Sequence, residues 1–392
     1  MVVKPVDEKN LSKLAIEDFE SKFGNAKKST LIISPASLIL LGDHTHYNDG
    51  ILISCAIDCH TAVVLKKRDD EKRNFHFSKN SLSQDFCESE SNSNLLPSRV
   101  VNRIAYLIHE KFNLTSGFDG VFLSDIPQSV GLGGISSLSI GFVIALNKEF
   151  KLKMKQNDIM SLAREAELKS LGKISSQANH FTIIGAKTDN LMYIDLRAQS
   201  YRNYKFDGIK YKIVICDTGL RFNSAEVCNS RIEECEIGVK GLRLYIWGIK
   251  NLRDVSEEFL FKHRHMIPKI VYDRVNFNVE ERMRVEKALD AIKKEEKTAL
   301  AEEIYKSHNG LSSDYKISVP ELDFLVEEGK SIDGVVASKM ISCSPARSTL
   351  NIVEAEKAEN FSREITKRYK KSFKKKLNIF SFDFASEAKE QR

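Results

Sequence analysis

Residues 31–50 constrain the fold more than any other stretch of this 392-residue chain. Two short apolar runs, residues 31–33 and 38–41, flank Pro35, and each predicts a buried strand. The polar sequence Gly-Asp-His-Thr-His-Tyr-Asn-Asp-Gly follows directly at residues 42–50. The end of the second strand therefore leads at once into three titratable side chains, those of Asp43, His44 and His46.

Length and composition are those of a globular protein with ample material for one large or two ordinary domains. Hydrophobic residues make up 42% of the chain and the formal net charge is +6. No apolar run approaches the ~20 residues that a membrane span needs, and the N-terminus lacks a secretory apolar segment. The seven cysteines are scattered, and we interpret Cys55 and Cys59 as buried small apolar residues. A reducing, cytoplasmic setting is predicted.

The order of apolar patterns predicts a two-lobed α+β protein. Helical spacing marks residues 9–23, 100–112, 136–150 and 157–171, and strands are predicted around residues 62–65, 120–123, 190–197 and 211–216. From about residue 226 the chain is largely helical, with strands returning at 335–336 and 350–353. Residues 78–97 are polar and predict a surface connection.

A glycine-containing loop joins the strand at 120–123 to the following helix. Its sequence over residues 125–137 is Asp-Ile-Pro-Gln-Ser-Val-Gly-Leu-Gly-Gly-Ile-Ser-Ser. Such a loop can present backbone N–H groups and a helix N-terminus to phosphate. The candidate phosphate-binding residues are Gly131, Gly133, Gly134, Ser136 and Ser137.

Residues 34–50 resemble the sugar-recognition signature of galactokinases, A-P-G-R-V-N-L-I-G-E-H-T-D-Y-N-G-G. The spacing and the core around His44 match, but three functional positions differ. The catalytic arginine of the family falls on Ser37, its sugar-binding glutamate on Asp43 and its sugar-binding aspartate on His46. The resemblance implies descent from a galactokinase together with a changed function.

The glycine loop resembles the second signature of the GHMP kinase superfamily, P-x-G-x-G-L-S-S-S-A, to which galactokinases belong. The first glycine of that signature falls on Ser129, and its last serine, which holds magnesium in the family, falls on Ile135. A hydrocarbon side chain offers no oxygen to a hard cation. Ser136 could serve only if the register slipped by one residue. Phosphate binding is therefore compatible with the loop, whereas metal-assisted transfer is not expected.

Three further family motifs have lost their functional residues. The catalytic aspartate of G-x-x-x-G-I-M-D-Q falls on Ser176, which is a poor general base without assistance. The tyrosine that packs on the sugar falls on Cys228. The third phosphate-loop signature falls on residues 339–347, where no glycine remains to let a phosphate approach the backbone.

Two alternatives remain for the histidine pair. On a strand, His44 and His46 would share a face, so they could ligate a metal together with Asp43, or His46 could act as a base. Otherwise His44 keeps an inherited polar contact and His46 fills the place of the aspartate.

The resemblance predicts a galactokinase-like GHMP fold, with an N-terminal lobe at residues 1–215 and a C-terminal lobe at residues 216–392. The substitutions predict a catalytically inactive pseudokinase that acts as a binding, sensor or scaffold protein and requires no cofactor. The alternative is an active sugar kinase with a rearranged site, which would use ATP and Mg²⁺. Expected partners are a small sugar-like ligand or a protein.

The positive charge is concentrated near the C-terminus, where residues 367–376 hold seven basic side chains. Such a run could contact nucleic acid or anionic lipid. We interpret it instead as the solvated face of a late amphipathic helix, because no nucleic-acid motif accompanies it. No nucleic-acid or membrane partner is therefore predicted.

Overall fold

The computed structural model describes residues 2–78, 95–221, 224–341 and 346–391. Mixed helices and strands form a two-lobed α+β fold, as the sequence predicts. The strands are β1 (Val2–Val3), β2 (Thr30–Leu41), β3 (Ile51–Lys67), β4 (Arg73–Phe77), β5 (Phe118–Ser124), β6 (Asn190–Asp195), β7 (Ser200–Lys205), β8 (Tyr211–Arg221), β9 (Val335–Met340), β10 (Ala346–Glu354), β11 (Asn378–Phe382) and β12 (Lys389–Gln391). The helices are α1 (Glu8–Phe23), α2 (Leu96–Phe112), α3 (Gly134–Glu149), α4 (Gln156–Leu171), α5 (Gln177–Gly185), α6 (Ser224–Arg243), α7 (Glu257–Lys262), α8 (Lys269–Lys293), α9 (Lys297–Ser313), α10 (Pro320–Lys330) and α11 (Ala358–Phe373).

The strands form two sheets, and the chain termini cross between them. The first sheet has the order β12-β2-β3-β5-β4, with β6 and β7 attached through β3, and the second has the order β1-β11-β8-β10-β9. β1 pairs with β11 of the second sheet, whereas β12 pairs with β2 of the first. The boundary between the two lobes at residue 215 stays a prediction. Each sheet includes one strand from the opposite end of the chain, β12 in the first sheet and β1 in the second.

The core explains how the lobes are held together. Helices α2 to α5 pack on one face of the first sheet, and α1 packs on the other. A separate cluster joins side chains of β2 and β3 to those of β8, β10, α8 and α9. Apolar burial of this kind favours a fixed arrangement of the two sheets. The residues between the sheets are therefore positioned by both lobes.

The first strand pair differs from its prediction. The apolar runs at 31–33 and 38–41 belong to one continuous strand, β2, whose pairing with β3 shifts at Pro35/Ala36. Proline cannot donate a ladder hydrogen bond, and the irregularity accommodates it without ending the strand. Ser37 consequently lies within the sheet, opposite Ala56.

The prediction for Cys55 and Cys59 is confirmed, because both are buried free thiols on β3. Most of the predicted surface connection at 78–97 lies outside the described residues, since residues 79–94 are not described. Its last two residues, Leu96 and Pro97, already belong to helix α2. None of the described helices is long and apolar enough to cross a membrane.

Candidate functional site

A single cavity of about 480 Å³ brings together the segments that the sequence singled out. The turn after β2, the glycine loop before α3 and the segment before α5 line it, together with Ile341 after β9. The turn after β2 and the glycine loop therefore face the same cavity. The loop residues Ser342, Cys343, Ser344 and Pro345, where the family glycines are missing, lie outside the described part of the chain.

The candidate residues divide into those that line this cavity and those that do not. The lining includes Asp43, His44, His46, Gly131, Gly133, Gly134, Ser136 and Ser176. Ser37, Ser137 and Cys228 are buried but are absent from the lining. Ser137 instead donates a 2.8 Å hydrogen bond to the carbonyl of Ser34 on β2, which ties α3 to the sheet.

The histidine pair lies in a turn, so the strand that was assumed for it is wrong. β2 ends at Leu41, His44 adopts a left-handed φ of 60°, and residues 46–48 form a short 3₁₀ helix. The two imidazole rings are 6.5 Å apart. Among the described residues, no group of three or more His, Cys, Asp or Glu side chains is arranged to hold a metal. The metal-ligand interpretation of Asp43, His44 and His46 therefore has no geometric support.

Burial keeps both imidazoles neutral near physiological pH. It lowers the pKa of His46 to about 4, although the hydrogen bond to the carbonyl of Lys173 opposes this shift. Burial also lowers the pKa of His44 well below 6.5, and the charge of Lys339 adds to the effect. A base with a pKa near 4 accepts a proton poorly at pH 7. His46 thus replaces a family carboxylate with an uncharged ring.

Asp43 belongs to a buried network that sequence reasoning did not find. The ammonium group of Lys339, which is fully buried on β9, forms an ion pair with the Asp43 carboxylate and donates a 3.0 Å hydrogen bond to Ser307 Oγ. Glu281 accepts from Ser307 Oγ at 2.8 Å and from the backbone N–H of Gly42 at 2.9 Å. The network connects the turn to α8, α9 and β9, so it fixes the sugar-signature segment across both lobes.

The glycine loop lies close against β2. The backbone N–H of Ser37 donates to the carbonyl of Leu132 at 3.1 Å. Gly133 has a left-handed φ of 65°, and a Cβ at this position would collide with Ser37 Oγ in its present rotamer, so the position favours glycine. Ser37 is 1% exposed, and its Oγ has no hydrogen-bond partner among the described residues. Ser37, which stands where the family has its catalytic arginine, is therefore buried beneath the glycine loop.

A second buried charge lies at the other side of the loop. Glu167 on α4 accepts hydrogen bonds from His180 Nε2 at 2.8 Å, Ser175 Oγ at 2.6 Å and Ser136 Oγ at 3.1 Å. Burial by itself would raise the pKa of Glu167, but the charge and hydrogen bonds of His180 and Ser175 hold it below 4.5. Both carboxylate oxygens thus already have partners within the protein.

Ser176 has a local structural role. It is the N-cap residue of α5, where its side chain accepts a hydrogen bond from the N–H of Ala178 at 3.3 Å. Serine is a favoured N-cap because it satisfies a free helical N–H group. The position where the family has a catalytic carboxylate is therefore used here to begin a helix, although the residue still lines the cavity.

The lining as a whole carries little net charge. Its only acidic side chains are Asp43 and Glu167, and among the described residues no lysine or arginine lines the cavity. Asp43 is neutralised by Lys339, and Glu167 bonds His180. Most other lining side chains are apolar, including Phe77, Phe122, Leu132 and Ile174. The sequence did not reveal this charge pairing because Lys339 is 296 positions from Asp43, and His180 lies on a different helix from Glu167.

Two family models and several full-length relatives match this chain. The family model for GHMP kinases N terminal domain matches residues 99–186, and the model for the galactokinase galactose-binding signature matches residues 17–67. The galactokinase of Fusobacterium nucleatum is 28% identical over 368 residues, covering 91% of this chain and 93% of that protein. The galactokinase of Clostridium acetobutylicum is 27% identical over 390 residues, covering 95% and 98%.

Solved structures share the fold. Lactococcus lactis galactokinase complexed with galactose superposes with a TM-score of 0.88 at 21% identity, covering 97% of this chain and 99% of that one. The mevalonate kinase of Methanococcus jannaschii superposes with a TM-score of 0.63 at 18% identity, covering 92% and 99%. At these identities the likeness concerns the fold, and it confirms the two-lobed architecture.

Proposed function

Since this chain belongs to the galactokinase family of the GHMP kinase superfamily, we propose that it is a pseudokinase, a binding protein that keeps the family cleft without phosphoryl transfer. The observation that carries the proposal is that serines with structural roles occupy the two positions where the family has its catalytic arginine and aspartate. Ser37 is sealed beneath Gly133, and Ser176 caps α5. Losing a charged group that acts on the transition state typically costs ~10³-fold or more in rate. Two such losses leave little catalysis.

The charge of the cavity supports a neutral ligand. Phosphoryl transfer needs cations against a polyanionic triphosphate, and these come from lysine, arginine or magnesium. No described lysine or arginine lines the cavity, so the described lining supplies no cationic side chain to a phosphate group. The apolar lining and the neutral imidazoles instead suit an uncharged ligand with a hydrophobic part and a few hydroxyl groups.

Magnesium does not fit the described residues around the loop. This cation prefers near-octahedral oxygen coordination. Ile135 supplies no oxygen, and the oxygens of Glu167 are taken by His180, Ser175 and Ser136. A metal at Glu167 would have to displace the buried imidazole. We therefore expect Mg²⁺ to have no role at this loop.

Free galactose is expected not to bind with useful affinity. His46 and Cys228 replace an aspartate and an aromatic ring of the family signature, and the Asp43 carboxylate is held by Lys339. Each hydrogen bond lost to a buried partner costs ~1–3 kcal/mol, so several losses abolish binding in the millimolar range. Isothermal calorimetry measures this directly. A saturable signal with a dissociation constant below about 1 mM would show that the cleft still recognises the ancestral sugar.

Magnesium-ATP is expected to bind weakly or not at all, and Ile135→Ser alone is expected not to rescue it. The substitution adds one hydroxyl but leaves Glu167 bonded to His180 and the cavity without cations. A thermal-shift series with ATP, ATP plus magnesium, and adenosine separates the contributions of phosphate and base. A low-micromolar affinity that depends on magnesium would contradict the proposal.

One observation favours the alternative, an active ATP-dependent sugar kinase with a rearranged site. Ser136 Oγ and Glu167 meet at 3.1 Å beside the N-terminus of α3, where a hydroxyl and a carboxylate could serve a metal if His180 moved away. The full-length relatives are named galactokinases. This alternative requires sugar-dependent release of ADP that Glu167→Gln abolishes.

A further inference from the structure

An exposed apolar turn follows α6, far in sequence from the segments of the cavity. Its residues Leu244, Tyr245, Ile246 and Trp247 are 82%, 47%, 41% and 99% exposed. Trp247 is the only tryptophan of the chain. Large side chains scattered singly over a surface are ordinary, but four consecutive ones mark an interaction site.

The exposure of this turn is built into the fold. Leu242 and Ile249, which flank it, are buried in the core between α6 and α8. Arg243 donates hydrogen bonds across the base of the turn, to the carbonyl of Ile249 at 2.7 Å and to that of Lys250 at 3.0 Å. Gly248, with a φ of 106°, lets the chain reverse. The two buried flanking residues and the hydrogen bonds of Arg243 therefore hold the apolar tip of the turn in solvent.

Further apolar side chains extend the surface onto the next segment. The Tyr245 ring stacks on that of His263, with centroids 6.0 Å apart, which places residues 261–266 beside the turn. Phe261, Met266 and Ile270 are 61%, 37% and 60% exposed. We name residues 244–247 together with these three the Trp247 surface.

Basic residues predominate in the segment that carries the Trp247 surface. Residues 240–270 contain seven lysines and arginines against three acidic residues. The exposed basic side chains are those of Lys240, Arg243, Lys250, Lys262, Arg264 and Lys269. A second copy docking through the same surface would oppose these like charges, so the charge pattern favours an anionic partner.

The shape and composition of the Trp247 surface indicate which class of anionic partner it binds. The tip is a protruding turn that carries both tryptophan and tyrosine, the side chains that concentrate at membrane–water interfaces. Apolar residues inserted at the headgroup level, with lysine and arginine facing anionic lipids, are how peripheral proteins bind bilayers. We propose that the Trp247 surface docks this protein on an anionic membrane, with the turn in the headgroup region. This reverses the sequence-based expectation of no membrane partner, and it stands independently of the proposed function.

The single tryptophan reports directly on the proposed contact. Wild-type protein is titrated with phosphatidylcholine vesicles and with vesicles of phosphatidylcholine and phosphatidylglycerol while Trp247 emission and acrylamide quenching are followed. A blue shift and protection from quenching are expected with the anionic vesicles, and both should disappear at high salt. The double variant Lys250→Glu/Lys262→Glu keeps the probe, and its partition constant should fall about tenfold or more.

Sedimentation with vesicles measures binding without tryptophan fluorescence, so it can also be applied to a variant that lacks Trp247. Trp247→Ala should lose most of its vesicle binding, whereas Ile209→Ser, which removes a residue 78% exposed elsewhere, should bind like wild type. Unchanged emission with both vesicles, or equal binding to neutral vesicles, would overturn the proposal. So would a lipid-independent blue shift that grows with protein concentration and accompanies a dimer mass in light scattering, because the surface would then bind a second copy.

Discussion

Lys339→Met is expected to lower the free energy of unfolding by about 3–5 kcal/mol, because it removes the cation from a buried pair. The ammonium group of Lys339 is completely buried and faces the Asp43 carboxylate, which is 7% exposed. Without it, a carboxylate remains in a low-dielectric site, and Ser307 loses the 3.0 Å hydrogen bond. Urea denaturation followed by circular dichroism measures the loss.

Two controls separate the ion pair from general effects of losing a lysine. Lys370→Met removes an exposed lysine of α11 and should change stability by less than about 0.5 kcal/mol. The double variant Asp43→Asn/Lys339→Met should recover much of the loss, because replacing both partners of a buried pair is often close to neutral. If Lys339→Met were as stable as Lys370→Met, the network would not hold the two lobes as described.

His180→Leu is expected to cost a similar amount, about 3 kcal/mol or more, because Glu167 then stays buried without its main partner. In a Glu167→Gln background the same change should cost clearly less, since the buried negative charge is gone. Denaturant midpoints of the four proteins give the coupling between the two residues. Equal costs in both backgrounds would mean that the 2.8 Å contact carries no coupling.

The difference in the free energy of unfolding between wild type and His180→Leu should depend on pH. Because the pKa of Glu167 is held below 4.5 in the folded state, its stabilising contribution is present above about pH 4.5. It is lost as the pH falls through the folded-state pKa, where the carboxylate takes up a proton. The stability gap between wild type and His180→Leu should therefore narrow in acid. A gap that widened below pH 4.5 would contradict the assigned charge.

Much of the fold follows from sequence patterns, because long amphipathic segments carry a clear period. The entry helix predicted at 9–23 is α1, which buries Leu11, Ala15 and Phe19, although Leu14 from the same predicted face is 45% exposed. Strands β1, β4, β7, β11 and β12 were not predicted. Strands β7 and β12 contain no buried residue, so they lack the apolar pattern that marks a buried strand.

The candidate site was predicted only in part. Family motifs located Asp43, His44, His46 and the loop around Gly133, and all of them line one cavity. The residues that determine the charge of the site lie elsewhere in the chain. Asp43 pairs with Lys339, which is 296 positions away. Glu167 pairs with His180, which lies on the neighbouring helix. Local periodicity contains no information on such pairs. Tertiary packing sets them, and with them the neutral character of the cleft.

The central feature of the proposed pseudokinase is the absence of phosphoryl transfer, and a coupled assay of ADP release tests this directly. Purified protein is incubated with ATP, magnesium and a panel of hexoses, with Glu167→Gln as the matched variant that alters the carboxylate in contact with Ser136 of the glycine loop. We predict that wild type and variant both stay at the rate of the protein-free blank with every sugar. Sugar-dependent turnover by wild type that Glu167→Gln abolishes would contradict it and establish an active kinase.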